Sequence, residues 1–336
     1  MAPSVSQLET TQAPVETVAK QVTKGTLNAQ QEKEDVPSYP FYYPIWDLEE
    51  KFPPTEIFEH SDPGLRADPA KPNLLNASAK VHHISPYLGT ELEVVVFRDQ
   101  DFKDIGPDRQ IAIARHFGPI QRHPTSGNVK GYPEFHVVYR DAKRDPVRDY
   151  QDRINFTSWH SDVSYEKQPP GTTFFFILDQ PETGGDTLFL SQVEAYNRLS
   201  PEFQKRLEGL KAVHSAVPQA ENSLKRGGVV RREPVESEHP IVRVHPVTGE
   251  KALFVNPNFT KRVVGFKQEE SEYLLGFLFD HIAKGADFHV RGSYKPGTVV
   301  VWDNRVTVHS STPDFARTIR RHAVRLTPQA EVPIPA

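Results

Sequence analysis

Cysteine is absent from all 336 residues, which excludes disulfides, thiolate metal sites and cysteine nucleophiles together. Histidine and carboxylate side chains are therefore the ligands that remain for a metal ion. The absence is compatible with a reducing compartment, and we expect a cytoplasmic protein.

A strong net charge and long apolar runs are also missing. The net charge is −4 and the isoelectric point is about 6.4, so no overall field would gather nucleic acid or an anionic membrane. No stretch approaches the roughly 18 apolar residues of a membrane span. The first 20 residues lack a continuous apolar segment, and the first arginine is Arg66, so we expect no targeting peptide.

Aromatic residues are absent from residues 1–38, a stretch rich in Gln, Thr, Glu, Val and Ala. Such a stretch cannot bury enough surface to offset its ordering entropy, so we expect a disordered tail. Aromatic and proline residues begin abruptly at Tyr39, and residues 39–336 are predicted to form one domain.

Short apolar runs rich in β-branched and aromatic residues recur through this domain and predict strands. They are Val94 to Phe97, Phe135 to Tyr139, Thr173 to Leu178, Thr187 to Leu190, Ile241 to Val244, Ala252 to Val255, Thr298 to Trp302 and Ala323 to Leu326. Helices are predicted for PDRQIAIARHFG, SPEFQKRLEGLKAV and QEESEYLLGFLFDHI. Many strands with a few helices indicate a mainly β sandwich or jelly roll.

Two His-Ser-Asp triplets occur. Composition alone predicts roughly two places where a histidine is followed two positions later by an acidic residue, so the triplets are not in themselves evidence of a metal site. Residues two apart in a strand share a face, and the strand formers around His160 and Asp162 would let both converge on one ion. Pro63 and Gly64 follow His60-Ser61-Asp62 and predict a turn, so this copy serves as an internal control.

A third ligand is expected from GTVVVWDNRVTVHSS, in which a buried-looking run is followed by His309. Two histidines and one carboxylate on one face of an ion are typical of non-haem Fe(II) oxygenases. Zinc accepts the same ligands, and a hydrogen-bonded core histidine is the alternative for His309 taken alone.

Five stretches carry a family resemblance: WHSD, PPGTT, ETGGDT, WDNRVTVH and RRHAVRLTP. Together they resemble the taurine dioxygenase family of Fe(II)/2-oxoglutarate enzymes, and most nearly its fungal sulfonate dioxygenases. The similarity runs from about Tyr39 to Pro333. It implies a double-stranded β-helix, or cupin-like jelly roll, with helices on its outside.

The resemblance also implies roles for single residues. His160, Asp162 and His309 match the iron ligands. Thr187 and Arg321 match the residues that bind 2-oxoglutarate, with Arg320 as a rival because the spacing from His309 is one residue longer than the family pattern. Residues matched to the substrate are His123, Arg325 and Phe259.

The implied reaction uses Fe(II), 2-oxoglutarate and O₂ to hydroxylate a small anionic substrate. A sulfonate such as taurine would give sulfite, an aldehyde, succinate and CO₂. The same chemistry on an amino acid or xanthine, and a catalytically silent anion-binding jelly roll, remain as alternatives. A homo-oligomer is left open.

One departure from the family pattern falls between HHISPYLGTE and VVVFRDQDF. Glu91, Leu92 and Glu93 join the two stretches almost directly. About 20 residues of the pattern are missing, the average length of one strand plus one helix. The domain is therefore predicted to lack a strand-helix segment near residues 91–94.

Overall fold

The computed structural model describes residues 37–68, 70, 93–141, 158–312, 314–315 and 319–336. The chain divides into two units, Met1–Pro37 and Ser38–Ala336, and all described elements lie in the second. The tail predicted for residues 1–38 therefore lies outside the described residues, except for its last two. Residues 91 and 92, the first half of the junction predicted to lack a segment, also lie outside them. No helix within the described ranges has the length and apolar character needed to cross a bilayer.

Strands dominate the described residues, and every strand pair is antiparallel. The strands are β1 (Val94–Phe97), β2 (Asn128–Val129), β3 (Tyr132–Arg140), β4 (Thr172–Asp179), β5 (Thr187–Ser191), β6 (Lys211–Ser215), β7 (Glu236–Pro240), β8 (Val242–Val244), β9 (Lys251–Leu253), β10 (Thr260–Val263), β11 (His289–Gly292), β12 (Val299–Asp303), β13 (Thr307–Ser311), β14 (Arg321–Leu326) and β15 (Ile334–Pro335). The α-helices are α1 (Pro107–Arg115), α2 (Gln192–Asn197), α3 (Pro201–Leu207), α4 (Val217–Lys225) and α5 (Gln268–Lys284).

The largest sheet has six strands in the order β1-β12-β4-β14-β3-β2. Side chains of a strand alternate between faces, and the two faces of this sheet join different cores. Phe176 and Val324 pack on the outer side with α1 and Tyr42. Phe175 and Ala323 pack on the inner side. The face that carries Ala323 therefore also carries Arg321 and Arg325.

A three-stranded sheet, β11-β5-β13, lies against this inner side. Phe189 of β5 shares a buried cluster with Phe175, Trp302 and Ala323 of the large sheet. Two further three-stranded sheets, β10-β6-β7 and β15-β8-β9, complete the described β structure.

The apolar face of helix α5 covers another hydrophobic core. Leu275, Leu278 and Ile282 are buried there, against residues of β8, β9 and β13. Their spacing of three and four residues places them on one helical face. Phe277 lies on the opposite face and is exposed.

The eight predicted strands are confirmed, and their ends match or shift by one or two residues, except that β3 begins three residues earlier than predicted. The helix predicted to run from Ser200 to Val213 is wrong beyond its middle, because α3 ends at Leu207 and β6 begins at Lys211. Gly209 adopts a positive φ of 82° between them, a conformation that ends a helix. The prediction also missed α2, α4 and several short strands.

Two adjacent glycines between strands, as in Gly184-Gly185, are typical of a hairpin turn, but this prediction is wrong here. The strands on either side, β4 and β5, lie in different sheets. Both glycines have positive φ, and a Cβ on Gly184 would stand 2.4 Å from the Asp314 carbonyl oxygen. Glycine is therefore required where the chain crosses from one sheet to the other.

Candidate active site

Two histidines face each other across a single β-bridge. The backbone N–H of His160 donates to the carbonyl of His309 at 3.0 Å, and the N–H of His309 donates back at 2.8 Å. Directly paired antiparallel residues place their side chains on the same side. The ring centroids consequently lie 4.2 Å apart, although the two residues are 149 positions apart in the chain.

Asp162 reaches the histidines from a turn, so the expectation that it shares an extended strand with His160 is wrong. Only His160 forms a bridge, and residues 162–165 turn away. Val163 has a φ of +39°, which is rare for a β-branched residue. The Asn304 side chain fixes this turn, because its Oδ1 accepts from the Asp162 N–H at 2.8 Å and its Nδ2 donates to the Asp162 carbonyl at 3.2 Å.

The ligand atoms of this triad converge. Nε2 of His160 lies 3.8 Å and Nε2 of His309 lies 3.4 Å from Oδ1 of Asp162. The structure thus brings together the three residues predicted as metal ligands, with all three ligand atoms within 4.8 Å of one another. The His160 side chain is 23% exposed and that of Asp162 only 1%, so the triad opens on the His160 side.

Hydrogen bonds hold these side chains in a state suited to a cation. Nδ1 of His160 donates to the Ser158 carbonyl at 2.8 Å, so the lone pair of Nε2 is available to a metal ion. Burial, reinforced by His309, lowers the pKa of His160 to about 3, so the ring is neutral. Oδ2 of Asp162 accepts from the Thr173 hydroxyl at 3.0 Å.

Burial alone would raise the pKa of the Asp162 carboxyl, but the Arg325 guanidinium beside it outweighs burial. The pKa of Asp162 therefore lies well below its usual range. Two imidazoles and one carboxylate are a donor set that suits Fe(II), and Zn²⁺ as well. The side chains of the triad therefore fit a metal ion.

The control triplet differs in its partners. His60 and Asp62 approach Glu331 closely enough to resemble a metal-ligand cluster. However, both Asp62 and Glu331 are ion-paired with Arg305, and Glu331 is also ion-paired with Arg243. Asp62 also accepts from the Gly64 N–H, as the predicted turn requires. These carboxylates are already neutralised by arginine.

Arg321 contacts the segment that leads into Thr187, and Thr187 pairs with Ser311, two residues after His309. The Arg321 guanidinium packs over the Phe175 ring at 5.7 Å and donates Nε to the Gly185 carbonyl at 3.0 Å. Its two terminal nitrogens have no partner among the described residues, although the side chain is only 5% exposed. A buried guanidinium with unsatisfied donors is suited to an incoming carboxylate.

Tyr294 completes this group. Its hydroxyl is buried beside Thr187 and within electrostatic range of Arg321. Burial raises the pKa of Tyr294, so the phenol stays protonated. Burial also lowers the pKa of Arg321 to about 10, which leaves it cationic at neutral pH.

Arg320, the rival for the same role, points elsewhere. Its Nε donates to the Tyr139 hydroxyl at 3.3 Å, and Nη1 lies 3.7 Å from Asp179. Successive residues of a strand face opposite ways, so only one of the two arginines can face the triad. The structure places Arg321 on that side.

The residues matched to the substrate lie close to the triad. Arg325 donates from Nη1 to Oδ1 of Asp162 and from Nη2 to Nδ1 of His136 at 2.6 Å. The ring of His123 is 4.3 Å from that of His136. Phe259 is buried with its ring 6.1 Å from that of His160.

Two tryptophans pack around the centre. Trp302 lies 4.9 Å from the His309 ring, and Trp159 is buried against His289. Sequence reasoning missed other residues of the site: His136, Thr173, Tyr294 and Asn304. Asn304 lies in the WDNR motif, which offered a signal, whereas His136 had no motif of its own.

This mainly antiparallel β chain therefore joins a two-histidine, one-carboxylate centre to a buried arginine beside a threonine. The family described as taurine catabolism dioxygenase TauD, TfdA family matches residues 52–327. The chain belongs to this family, whose members depend on Fe(II), 2-oxoglutarate and O₂. It is a 2-oxoglutarate-dependent dioxygenase.

Individual relatives cover nearly the whole chain. The alpha-ketoglutarate-dependent dioxygenase cnsP of Penicillium expansum is 47% identical, over 94% of this chain and 92% of the relative. The alpha-ketoglutarate-dependent sulfonate dioxygenase of Saccharomyces cerevisiae is 41% identical, over 92% of this chain and 82% of the relative. A crystal structure of a taurine dioxygenase from Burkholderia xenovorans aligns with a TM-score of 0.58 and 32% identity, over 72% of this chain and 79% of that one.

Proposed function

We propose that this chain is a sulfonate dioxygenase in which His160, Asp162 and His309 hold the iron. The convergence of their three ligand atoms across the β-bridge is the observation that carries the proposal. On this proposal the six-stranded sheet and the sheet β11-β5-β13 are the two faces of a double-stranded β-helix, with the iron between them.

Arg321 and Thr187 bind 2-oxoglutarate on this proposal. The terminal nitrogens of Arg321 lack a described partner and can clasp a carboxylate with two parallel hydrogen bonds. The threonine hydroxyl supplies a further donor. Phe175 packs against one face of the guanidinium, which leaves the donors at its edge available.

On this proposal the substrate lies beside Asp162, where Arg325 and His123 meet its anionic group and Phe259 contacts its carbon chain. A cation and an imidazole near a metal centre favour a small anion. The relative from Saccharomyces cerevisiae named for sulfonates supports a sulfonate in particular.

Bound iron would supply the activation of O₂ and the oxidation of the substrate C–H bond, coupled to decarboxylation of 2-oxoglutarate. The residues of this chain orient the reactants. Thr173 and Asn304 hold Asp162 in place, and the Ser158 carbonyl fixes the tautomer of His160. Hydroxylation of the carbon beside sulfur would release sulfite and leave an aldehyde, with succinate and CO₂ as co-products.

The experiment is a substrate panel with Fe(II), 2-oxoglutarate and O₂. Taurine, other alkanesulfonates, alkyl sulfate esters, amino acids and xanthine are each supplied, and succinate and sulfite are measured. Sulfonates are expected to stimulate succinate formation, with one sulfite released per succinate. Succinate stimulated only by an amino acid or xanthine would overturn the substrate class, and no succinate with any substrate would favour a silent anion-binding protein.

The control in this panel is His60→Ala, a change in the other His-Ser-Asp triplet, where Arg305 neutralises the Asp62 carboxylate. This variant is expected to keep the wild-type rate, whereas His160→Ala loses it.

A further inference from the structure

His136 lies in β3, directly opposite Arg325 of β14 in the antiparallel register. Residues paired in this way share a face of the sheet, and their side chains touch. Nη2 of Arg325 is 2.6 Å from Nδ1 of His136. The imidazole therefore contacts one side of the guanidinium while Asp162 contacts the other.

The hydrogen bonds define which ring nitrogen carries the proton. Arginine only donates, so Nδ1 of His136 must accept, and in the neutral ring the proton is then on Nε2. His123 has the same arrangement, because the Thr125 N–H donates to its Nδ1 at 3.3 Å. No described residue is hydrogen-bonded to Nε2 of either ring. Two adjacent imidazoles thus each keep one free N–H donor.

Both rings are neutral at physiological pH. Burial, followed by the positive charge of Arg325, lowers the pKa of His123 to about 3 and holds the pKa of His136 well below its usual range. The Arg325 charge is itself balanced in part by Asp162. These residues thus offer one partly neutralised cation and two neutral donors.

This set of donors suits a singly charged group with three equivalent oxygens. A sulfonate or the sulfate of a sulfate ester has that charge and shape. A carboxylate has two oxygens in a plane, and a phosphonate carries more than one charge on average at neutral pH, which neutral imidazoles balance poorly.

Resting on the proposed function, we propose that His136 is a further specificity-determining residue. It positions the Arg325 guanidinium through Nδ1 and donates from Nε2 to the third oxygen of the substrate's sulfonate group.

The test compares His136→Asn and His136→Phe with wild type. The asparagine carbonyl can replace Nδ1 as the acceptor for Arg325, but the Nε2 donor is lost, whereas phenylalanine removes both. The KM of the preferred alkanesulfonate is expected to rise about 10-fold in His136→Asn and about 100-fold in His136→Phe, as for the loss of hydrogen bonds to a charged group. The co-substrate KM and kcat should change less than about three-fold.

A binding measurement gives a second readout. The same sulfonate is titrated calorimetrically, without O₂, into protein loaded with Fe(II) and 2-oxoglutarate, and its Kd should rise in parallel with KM. The preference for the sulfonate over the carboxylate of equal chain length should also shrink about 10-fold in His136→Phe. A purely structural role for His136 would not change that preference.

His116 is exposed and follows directly after α1, so His116→Asn is the control and should behave as wild type. If His136→Phe loses thermal stability, His136→Asn and His123→Asn decide the outcome. Normal sulfonate KM and Kd in folded His136→Asn would overturn the inference and leave the proposed function intact. A wild-type protein that is stimulated by no sulfonate or sulfate ester would instead overturn the proposed function.

Discussion

Arg320 and Arg321 are adjacent in the sequence but belong to different environments. Arg321 is the first residue of β14, and its side chain packs over Phe175 on the inner face of the sheet. Arg320 is directed to Tyr139 and Asp179. Spacing from His309 could not decide between them, because one extra residue in the connecting loop reverses which arginine faces inward.

We predict that Arg321→Gln raises the co-substrate KM, measured by varying 2-oxoglutarate, by about 100-fold or more, because a charge-assisted, two-point contact with a carboxylate is lost. Arg320→Gln is the matched control and should stay within about three-fold of wild type, since Arg320 is directed to Tyr139 and Asp179 rather than to the side of the sheet that carries Arg321. Steady-state succinate formation measures both. A larger effect in Arg320→Gln would reverse the assignment.

The structure brings together the triad that the sequence indicated, but the sequence did not reveal His136. His160, Asp162 and His309 carry recognisable motifs, and a metal needs those residue types. His136 sits in an ordinary strand sequence, and its significance comes from Arg325, which lies 189 residues away. A contact of that kind depends on strand register, which the hydrophobic pattern alone fixes only to within a two-residue shift.

At the scale of elements, the turn after His160 shows where local propensity fails. Trp159, Val163 and Tyr165 are strand formers, yet only His160 forms a bridge and Val163 takes a positive φ. The side-chain amide of Asn304 overrides propensity by bonding both backbone groups of Asp162. Strain of this kind is found where a functional side chain must be aimed, and here it aims the carboxylate.

The strand β7 carries a buried histidine that makes stability depend on pH. Nε2 of His239 donates to the Glu166 carbonyl at 2.9 Å, and burial lowers the pKa of His239 to about 4. Its pKa in the unfolded chain is about 6.5, so the unfolded state binds the proton first as pH falls. The free energy of unfolding should therefore decrease between about pH 6.5 and pH 4, by about 3 kcal/mol from this residue.

His239→Gln should make this decrease smaller, because glutamine can donate to the same carbonyl and does not titrate. Urea unfolding of wild type and variant from pH 8 to pH 5 measures the difference. Above pH 7 the two curves should run parallel, since the imidazole is neutral in both states. Equal losses of stability at pH 5 would contradict the assignment to His239.

At the scale of the whole molecule, the eight predicted strands were found, but their distribution over three of the four sheets in the described residues was not derivable from the sequence. The large sheet places β12 beside β1, and β14 beside β3, with long connections between partners. Such pairings are set by packing of the two faces rather than by local pattern. The domain boundary at residue 38, the strand-helix segment expected to be missing near Glu91, and the cytoplasmic location stay predictions.

We predict that deletion of residues 1–36 leaves the melting temperature and activity unchanged. The folded unit begins near Ser38, whose hydroxyl donates to Asp179, and Tyr42 is buried in the outer core. A deletion of residues 1–45 is the matched control, because it removes Tyr42 and should lower Tm by about 5 °C or more. Calorimetric melting of both proteins checks this, and a large loss of Tm in the shorter deletion would refute the predicted boundary.

The central claim is that three side chains from distant parts of the sequence bind one ferrous ion. The most direct measurement is an anaerobic titration with Fe(II) and 2-oxoglutarate, followed by the visible metal-to-ligand charge-transfer band. Wild type and the control His60→Ala should develop the band. His160→Ala, Asp162→Ala and His309→Ala should fail to develop it while they remain folded. A normal band in His309→Ala, or a band lost in His60→Ala, would contradict the account.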